Sequence, residues 1–169
     1  KANARFAIAE TTSAVNEGIA IHGLDPVSAC LFGRALTVAA LTSPLLAEKE
    51  KYAFRWKYAG AIKNILVDVD DACRLRGIMR QNRLMEATSD LYGEEGQALV
   101  QKIRAGRIIN SGSAKAGLLD VVDDIGFFFS ASDQEETEFT VVTRLLPDPN
   151  QPLLVRGMML QAMPGCDLM

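Results

Sequence analysis

The apolar run from Asp25 to Ala47 is the most informative pattern in the chain. Between Pro26 and Ala47 the one charged side chain is Arg34. A helix that is apolar on nearly every side has to be covered on nearly every side, by protein or by lipid. In a membrane Arg34 would cost roughly 2.5–3.5 kcal/mol, and small residues stand where a lipid-facing helix carries Leu, Ile and Phe. The run therefore predicts a helix buried between two layers of protein, rather than a membrane span.

Residues that start and stop helices frame this run. We expect Asp25 to cap the helix and Pro26 to occupy its first turn, where a missing N–H does no harm. Pro44 is expected to end or kink the helix near Thr42, because its ring removes a backbone hydrogen bond.

A shorter helix is predicted before the apolar run. Thr11 or Thr12 can cap it, its apolar positions recur at helical spacing to about His22, and Gly23 is its expected left-handed stop.

From Lys51 onward the hydrophobic period changes to two, which is typical of strands with one polar face. The apolar positions of the first two strands are Tyr52, Phe54, Trp56, Tyr58, Ile65, Val67 and Val69. A third strand follows over Cys73–Met79. A three-residue loop, Asp70-Asp71-Ala72, would keep the faces matched and place Asp68 opposite Arg74. The predicted register is Val69 with Cys73, Asp68 with Arg74, and Val67 with Leu75.

The second half of the chain predicts four strands and one helix. The strands lie at Ala98–Arg104, Arg107–Ser111, Glu138–Leu146 and Leu153–Met163, and the helix at Leu118–Ser132. The last strand carries Arg156 as its one charge. We therefore expect it to sit centrally in its sheet or to be covered on both faces.

Bulk composition narrows the possible functions. The chain has 169 residues, enough for one domain over 1–169, and its net charge of −3 argues against nonspecific nucleic-acid binding. Cys30, Cys73 and Cys166 form neither a C-x-C nor a C-x-x-C pair, so reduced cytoplasmic thiols are the simplest interpretation. Because the chain begins at Lys1 and lacks a signal-like start, we expect a piece of something longer.

The candidate catalytic residues are few, and each has a simpler interpretation. His22, the one histidine, could act with Cys30, but nothing orients it as a base, and a structural histidine is the preferred interpretation. Asp120, Asp123 and Asp124 could bind a cation, and a solvated helix face is preferred. We predict no catalytic, cofactor-binding or metal-binding residues in this chain.

Two further groups carry charge without a clear chemistry. Asp68, Asp70 and Asp71 lack the glycine and terminal glutamate of a calcium loop, and hairpin turn chemistry explains them. The basic patch consists of Lys51, Arg55, Lys57 and Lys63. Its cations alternate with aromatic residues instead of sharing their face, which makes a single-stranded nucleic-acid platform a weak interpretation.

Four segments, taken together in order and spacing, resemble a known family. They are Gly33-Arg34-Ala35-Leu36, Leu75-Arg76-Gly77-Ile78, Phe128-Phe129 followed by Ser132-Asp133-Gln134, and Met159-Leu160-Gln161 leading to Pro164-Gly165. The chain is similar to the N-terminal domain of the bacterial thirty-three-kilodalton chaperonins, which are redox-regulated heat-shock chaperones. It is a divergent member, since the family's usual Asn-Pro step is Asn82-Arg83 here and the small residue after Pro-Gly is Cys166.

The resemblance implies an α+β fold of three layers, β/α/β, with a buried central helix and mostly antiparallel sheets. It also implies an ATP-independent holdase that binds unfolded or oxidatively damaged proteins during stress, acts without enzymatic chemistry in the cytoplasm and forms dimers. In the family a following C-terminal domain holds zinc through four cysteines. Those cysteines are absent from this chain, so no cofactor is expected within it.

Two classes of function therefore remain open. The first is a chaperone core whose partners are unfolded client proteins, with neither nucleic acid nor membrane as a partner. The second is a non-chaperone interaction or oligomerisation module that has kept the fold and lost the redox switch. Arg34 needs a partner in either case, and an acidic residue or a helix-end carbonyl is expected.

Overall fold

The computed structural model describes residues 3–117, 120–132, 134 and 136–163. Along the chain, the strands and helices are β1 (Ala4–Glu10), α1 (Thr12–His22), α2 (Pro26–Thr42), β2 (Glu50–Tyr58), β3 (Asn64–Asp70), β4 (Leu75–Met79), β5 (Gly96–Arg104), β6 (Arg107–Lys115), α3 (Val121–Ser132), β7 (Thr137–Leu145) and β8 (Leu153–Ala162). Short 3₁₀ turns lie at Ser43–Leu45 and Leu84–Glu86.

The strands form two antiparallel sheets with the helices between them. One sheet has the order β1-β8-β7 and the other the order β4-β3-β2-β5-β6. Helix α2 packs against β8, β7 and β1 on one side and against β3 and β4 on the other. This arrangement confirms the predicted three-layer α+β fold. It also confirms the central position of β8 in its sheet.

Helix α2 has the predicted boundaries and the predicted burial. The Asp25 carboxylate accepts a hydrogen bond from the backbone N–H of Ser28 (2.8 Å), Pro26 is the first helical residue, and the helix ends at Thr42. By length and composition alone the segment Pro26–Leu45 could cross a membrane, as core helices of many proteins could. Here 78% of its most apolar 18-residue stretch is buried inside the fold.

Both sheets approach α2 closely at a glycine. A Cβ added to Gly157 of β8 would lie 2.8 Å from Cγ2 of Thr37, and one added to Gly77 of β4 would lie 2.9 Å from Phe32 and Leu36. Distances below about 3 Å are not seen for real Cβ atoms. The two glycines therefore allow one helix to touch both sheets.

Helix α1 has the predicted length, but its start is capped differently. Gly23 ends it with φ of 61°, the left-handed conformation expected. Thr11 is the first flanking residue, yet its hydroxyl pairs with the Thr37 hydroxyl (2.6 Å) instead of capping the helix. The Glu10 carboxylate accepts from the backbone N–H of Thr12 (2.9 Å) in its place. Capping by a threonine side chain was thus wrong.

The hairpin between β3 and β4 is shifted by two residues from the predicted register. The observed pairs are Val69 with Leu75, Asp68 with Arg76, and Val67 with Gly77. The turn is longer because the Asp70 carboxylate accepts from the backbone N–H groups of Ala72 and Arg74, and Cys73 takes a left-handed φ of 57°. A shift of two preserves the predicted faces. Arg74 pairs with Asp70 rather than with Asp68.

The remaining differences concern element ends and one additional strand. The sequence patterns did not predict β1, and β6 continues four residues past the predicted end at Ser111, to Lys115. The predicted start of α3 at Leu118 lies outside the described residues, as do Asp133, Pro164, Gly165 and Cys166.

Candidate functional site: the outer face of the three-stranded sheet

Large apolar side chains lie exposed on the face of the three-stranded sheet that points away from α2. Phe6 pairs with Leu160 and Ile8 with Met158 across the β1–β8 ladder, and Val142 of β7 lies opposite Arg156 of β8. The exposed fractions of the five apolar side chains lie between 42% and 72%. We call Phe6, Ile8, Val142, Met158 and Leu160 the apolar face.

Charged residues of both signs border the apolar face. Glu10 pairs with Arg156 across the β1–β8 ladder, and Glu138 and Arg144 flank the same face on β7. All four are exposed. A contiguous exposed apolar patch with a polar border is typical of a surface that binds another protein. The border of mixed sign gives the patch no preference for a strongly charged partner.

The edge of β1 adds backbone hydrogen-bonding groups to this surface. Within the described residues β1 pairs with β8 alone. The ladder is hydrogen-bonded at Asn3–Met163 and Thr11–Val155, and such pairs alternate along an antiparallel ladder. The N–H and C=O groups of Phe6 and Ile8 therefore point to the open side. An extended apolar segment could pair with this edge and contact the apolar face at once.

Side chains of helix α1 hydrogen-bond to the backbone of β8 beyond the point where β1 ends, and so attach the helix to the three-stranded sheet. The Thr12 hydroxyl accepts from the N–H of Val155 (3.1 Å) and lies 3.3 Å from its carbonyl oxygen. Four residues on, the Asn16 amide donates to the carbonyl of Leu153 (2.6 Å) and accepts from its N–H (3.0 Å). Where β1 ends, two side chains on one face of α1 thus satisfy the β8 backbone.

Arg34 fixes α2 to the same sheet. Its guanidinium donates to the carbonyl oxygen of Val141 (2.6 Å) and forms an ion pair with Asp120, which immediately precedes α3. The predicted acidic partner is therefore confirmed. The second partner is a strand carbonyl and not a helix end.

Of the three acidic residues near the start of α3, Asp123 is exposed as a solvated helix face predicts, whereas Asp120 is paired with Arg34 and Asp124 is buried, so the prediction was wrong for these two. Asp124 is fully buried and accepts from the Tyr58 hydroxyl (2.5 Å) and from the N–H of Gly117 (2.9 Å). Burial and the neighbouring Asp124 carboxylate raise the pKa of Tyr58. Burial and the nearby Asp120 carboxylate raise the pKa of Asp123. Asp120 and Asp124 anchor α3 through these contacts, and the sequence pattern could not show which of the three aspartates turn inward.

The structure places the other candidate residues in structural positions. The His22 ring packs edge-on against Phe32, and its Nε2 lies 3.2 Å from the Gly77 carbonyl oxygen. Cys30 and Cys73 are free thiols, on α2 and in the β3–β4 turn. Among the described residues no three His, Cys, Asp or Glu side chains come together in a way that could hold a metal ion.

Turn chemistry explains Asp70, as predicted, whereas the side chains of Asp71 and Asp68 contact residues outside the hairpin. Asp70 accepts from two backbone N–H groups within the turn, and Asp71 accepts from the N–H of Lys49 (2.7 Å). Asp68 lies on the strand, 3.8 Å from the Lys51 ammonium group.

The apolar face itself was missed at the level of sequence. The alternation of Phe6 and Ile8 with Ala7 and Ala9 was the available signal, and it was weak because alanine gives a small contrast. Of the two alternatives expected for β8, the central position in the sheet is the one observed, and its outer face is exposed at Met158.

Fold and surface together define a three-layer α+β domain with one apolar outer sheet face. The chain matches the family model described as Hsp33 protein over residues 1–168. It belongs to the Hsp33 family.

Individual relatives agree with this assignment. A "33 kDa chaperonin" of Ruminiclostridium cellulolyticum is 26% identical over 94% of this chain and 56% of its own length. One of Clostridium beijerinckii is 28% identical over 93% of the chain and 56% of its own length. The crystal structure of the 33 kDa chaperonin of Thermotoga maritima superposes with a TM-score of 0.83 at 20% identity, over 95% of this chain and 57% of that one, and shows the same fold.

The chain spans about half the length of the curated relatives it matches. These relatives are named chaperonins and not enzymes.

Proposed function

We propose that this domain is the client-binding core of an ATP-independent holdase, and that unfolded or oxidatively damaged proteins bind on the apolar face. The observation that carries the proposal is the exposure of five large apolar side chains on the outer side of one sheet. Membership of a family whose relatives are named chaperonins supports it.

Holding a client on this surface needs no reaction chemistry. A non-native protein exposes apolar segments, and burying them against the apolar face gains about 25 cal/mol for each Å² removed from water. The open edge of β1 can add backbone hydrogen bonds that are independent of the client's sequence. Together these two contributions give broad specificity, which suits a chaperone that meets many clients.

Light scattering of a heat-denatured client protein tests the proposal. The wild-type chain should suppress aggregation at stoichiometric amounts. The double variant Phe6→Thr/Ile8→Thr should lose most of that suppression, because it removes the two large exposed apolar side chains of β1. Threonine is a strand-forming residue, so both substitutions should leave β1 intact. The matched control is Ile108→Thr/Ile109→Thr, which removes two exposed apolar side chains from β6 of the other sheet.

The control should suppress aggregation as the wild type does. Equal suppression by all three proteins would contradict the assignment to the apolar face. No suppression by the wild-type chain, reduced or oxidised, would contradict the holdase function itself.

The alternative function, an oligomerisation module, is favoured by the open edge of β1. Two copies could pair through these edges and form one continuous sheet, so we include a homodimer among the proposed partners. Sedimentation velocity distinguishes the two functions: a stable dimer without suppression of aggregation would favour the module.

We further propose a cytoplasmic location, where Cys30 and Cys73 stay reduced. Redox regulation in a stress response would then depend on a zinc-binding domain outside this chain. Four closely spaced cysteines in the gene downstream of Met169 would support redox regulation, and their absence would contradict it.

A further inference from the structure

The outer face of the five-stranded sheet carries a concentration of positive charge. Its outward positions include five cations, Lys51, Arg55, Lys57, Arg76 and Lys115, and two carboxylates, Asp68 and Asp70. The whole chain has a net charge of −3. The sign of this face is therefore opposite to that of the protein as a whole.

The two carboxylates on this face are already paired. Asp68 lies 3.8 Å from the Lys51 ammonium group, and Asp70 forms a 2.7 Å ion pair with Arg74 in the turn before β4. Arg55 and Arg76 have no carboxylate within 4.0 Å among the described residues. Both guanidinium groups are exposed. They are thus available to a carboxylate from another molecule.

Arg55 and Arg76 lie on the rim of a shallow depression of about 410 Å³. Leu66 pairs with Ile78 across the β3–β4 ladder and with Arg55 across the β2–β3 ladder. The two aliphatic side chains contribute to the lining, and so does Asp68, which lies opposite Arg76 in the β3–β4 ladder and 3.8 Å from the Lys51 ammonium group. The depression therefore offers a small apolar surface with two arginines beside it, and its one carboxylate has Lys51 as a counter-ion.

We propose that this depression binds an acidic polypeptide segment in which an aliphatic residue lies between carboxylates. Guanidinium groups bind carboxylates through paired, charge-assisted hydrogen bonds, and the aliphatic residue would pack on Leu66 and Ile78. A nucleic acid fits less well. The aromatic side chains of β2 lie on the buried face of the sheet, so bases find no stacking partner beside the cations.

Fluorescence anisotropy of a fluorescein-labelled peptide of repeated Glu-Leu-Glu tests this proposal. The wild-type chain should bind it, should not bind the matching Lys-Leu-Lys peptide, and should release it as salt is raised. The variant Arg55→Glu/Arg76→Glu should weaken binding on the order of tenfold or more, because it removes both guanidinium partners and places carboxylates where the peptide carries its own. Circular dichroism checks that the variants are folded.

Two controls separate the depression from general charge and from the apolar face. The variant Arg144→Glu/Arg156→Glu reverses two exposed arginines on the three-stranded sheet and should bind the peptide as the wild type does. Leu66→Thr/Ile78→Thr keeps every charge and should weaken binding several-fold.

Equal losses in both charge-reversal variants would overturn the proposal, because binding would then follow net charge. An absence of binding to the wild type would overturn it as well. Tighter binding of labelled oligothymidylate, lost in Arg55→Glu/Arg76→Glu, would identify a nucleic-acid surface and overturn the assignment to an acidic polypeptide.

Discussion

The two sheets pack on the same central helix, yet their outer faces differ. The three-stranded sheet exposes Phe6, Ile8 and Met158 side by side, whereas the five-stranded sheet exposes cations and polar side chains among fewer apolar ones, with Leu66 and Ile78 beside Arg55 and Arg76. Side chains that stay largely exposed gain little by burial, so the apolar outer face contributes less to the stability of the fold than the buried inner face does. If the proposed function is correct, the comparison separates what holds this domain together from what it presents to clients.

The inner faces of the two sheets, unlike the outer faces, resemble each other. Each has large buried side chains and one glycine against α2, Gly157 on one side and Gly77 on the other. A core between two sheets requires a helix with small residues on both sides, which α2 supplies. Stability should therefore depend on inward positions in both sheets, and binding on outward positions.

The largest expected effect compares two neighbouring residues of β8 that point to opposite sides. Gly157→Val places a side chain where Cγ2 of Thr37 lies 2.8 Å from the added Cβ, so the free energy of unfolding should fall by about 3 kcal/mol. Met158→Thr changes the exposed face and should stay within about 0.5 kcal/mol of the wild type. Urea denaturation followed by circular dichroism measures both.

The same two variants also report on binding. Met158→Thr should weaken suppression of client aggregation while leaving stability unchanged. A loss of stability in Met158→Thr as large as in Gly157→Val would contradict the separation between inner and outer faces.

A smaller effect is expected where polar groups attach the helices to each sheet. Arg34→Met removes the hydrogen bond to the Val141 carbonyl and leaves Asp120 without its cation, which should cost about 2 kcal/mol. Tyr58→Phe, on the five-stranded sheet, removes one hydrogen bond to the buried Asp124 and should cost about 1 kcal/mol.

In the Tyr58→Phe variant, Asp124 still accepts a hydrogen bond from the N–H of Gly117. The cost in stability is therefore expected to be smaller for Tyr58→Phe than for Arg34→Met. Thermal and urea unfolding measure both variants, and Arg144→Met, at an exposed position on β7, is the control for the removal of an arginine. The reverse order of costs would show that α3 is anchored mainly by the five-stranded sheet.

Local patterns were sufficient to predict much of the fold. The boundaries of α2 followed from Asp25, Pro26 and Pro44, since caps and prolines act within one turn of the chain. The faces of β2 and β3 followed from strict alternation of aromatic and β-branched residues with polar ones. The hairpin register failed by two residues because backbone hydrogen bonds to the Asp70 side chain, which no hydrophobic pattern shows, set the length of the turn.

The candidate surface could not be predicted in the same way. It exists because Phe6 lies beside Leu160 and Ile8 beside Met158, contacts between the two ends of the chain. Neither half of the surface is unusual by itself, since single exposed apolar residues are common. The positive face was easier to find, because its cations on β2 are neighbours in sequence and strand alternation alone places them together.

The smallest expected effect is a pH dependence that again compares the two sheets. Hydrogen bonding to Thr12 lowers the pKa of Glu10 on β1, and hydrogen bonding to the N–H of Ala47, with Lys102 and Arg104 nearby, lowers the pKa of Glu50 on β2. A lowered pKa means that each carboxylate stabilises the fold above its unfolded pKa, near 4.3. That contribution is lost as the pH falls through the folded pKa.

At pH 7 Glu50→Gln should therefore be less stable than the wild type by about 1 kcal/mol, and Glu10→Gln by roughly 0.5 kcal/mol. Glu50 should have the larger effect because it is buried and forms an ion pair with Arg104, whereas Glu10 is exposed at the border of the apolar face. Both differences should begin to shrink when urea denaturation is repeated below about pH 4.3, where the carboxylates of the unfolded chain become protonated, and should be lost only once the pH has fallen through the lowered folded pKa of each carboxylate. A difference that persists at acid pH would mean that packing, and not charge, is what the glutamine disturbs.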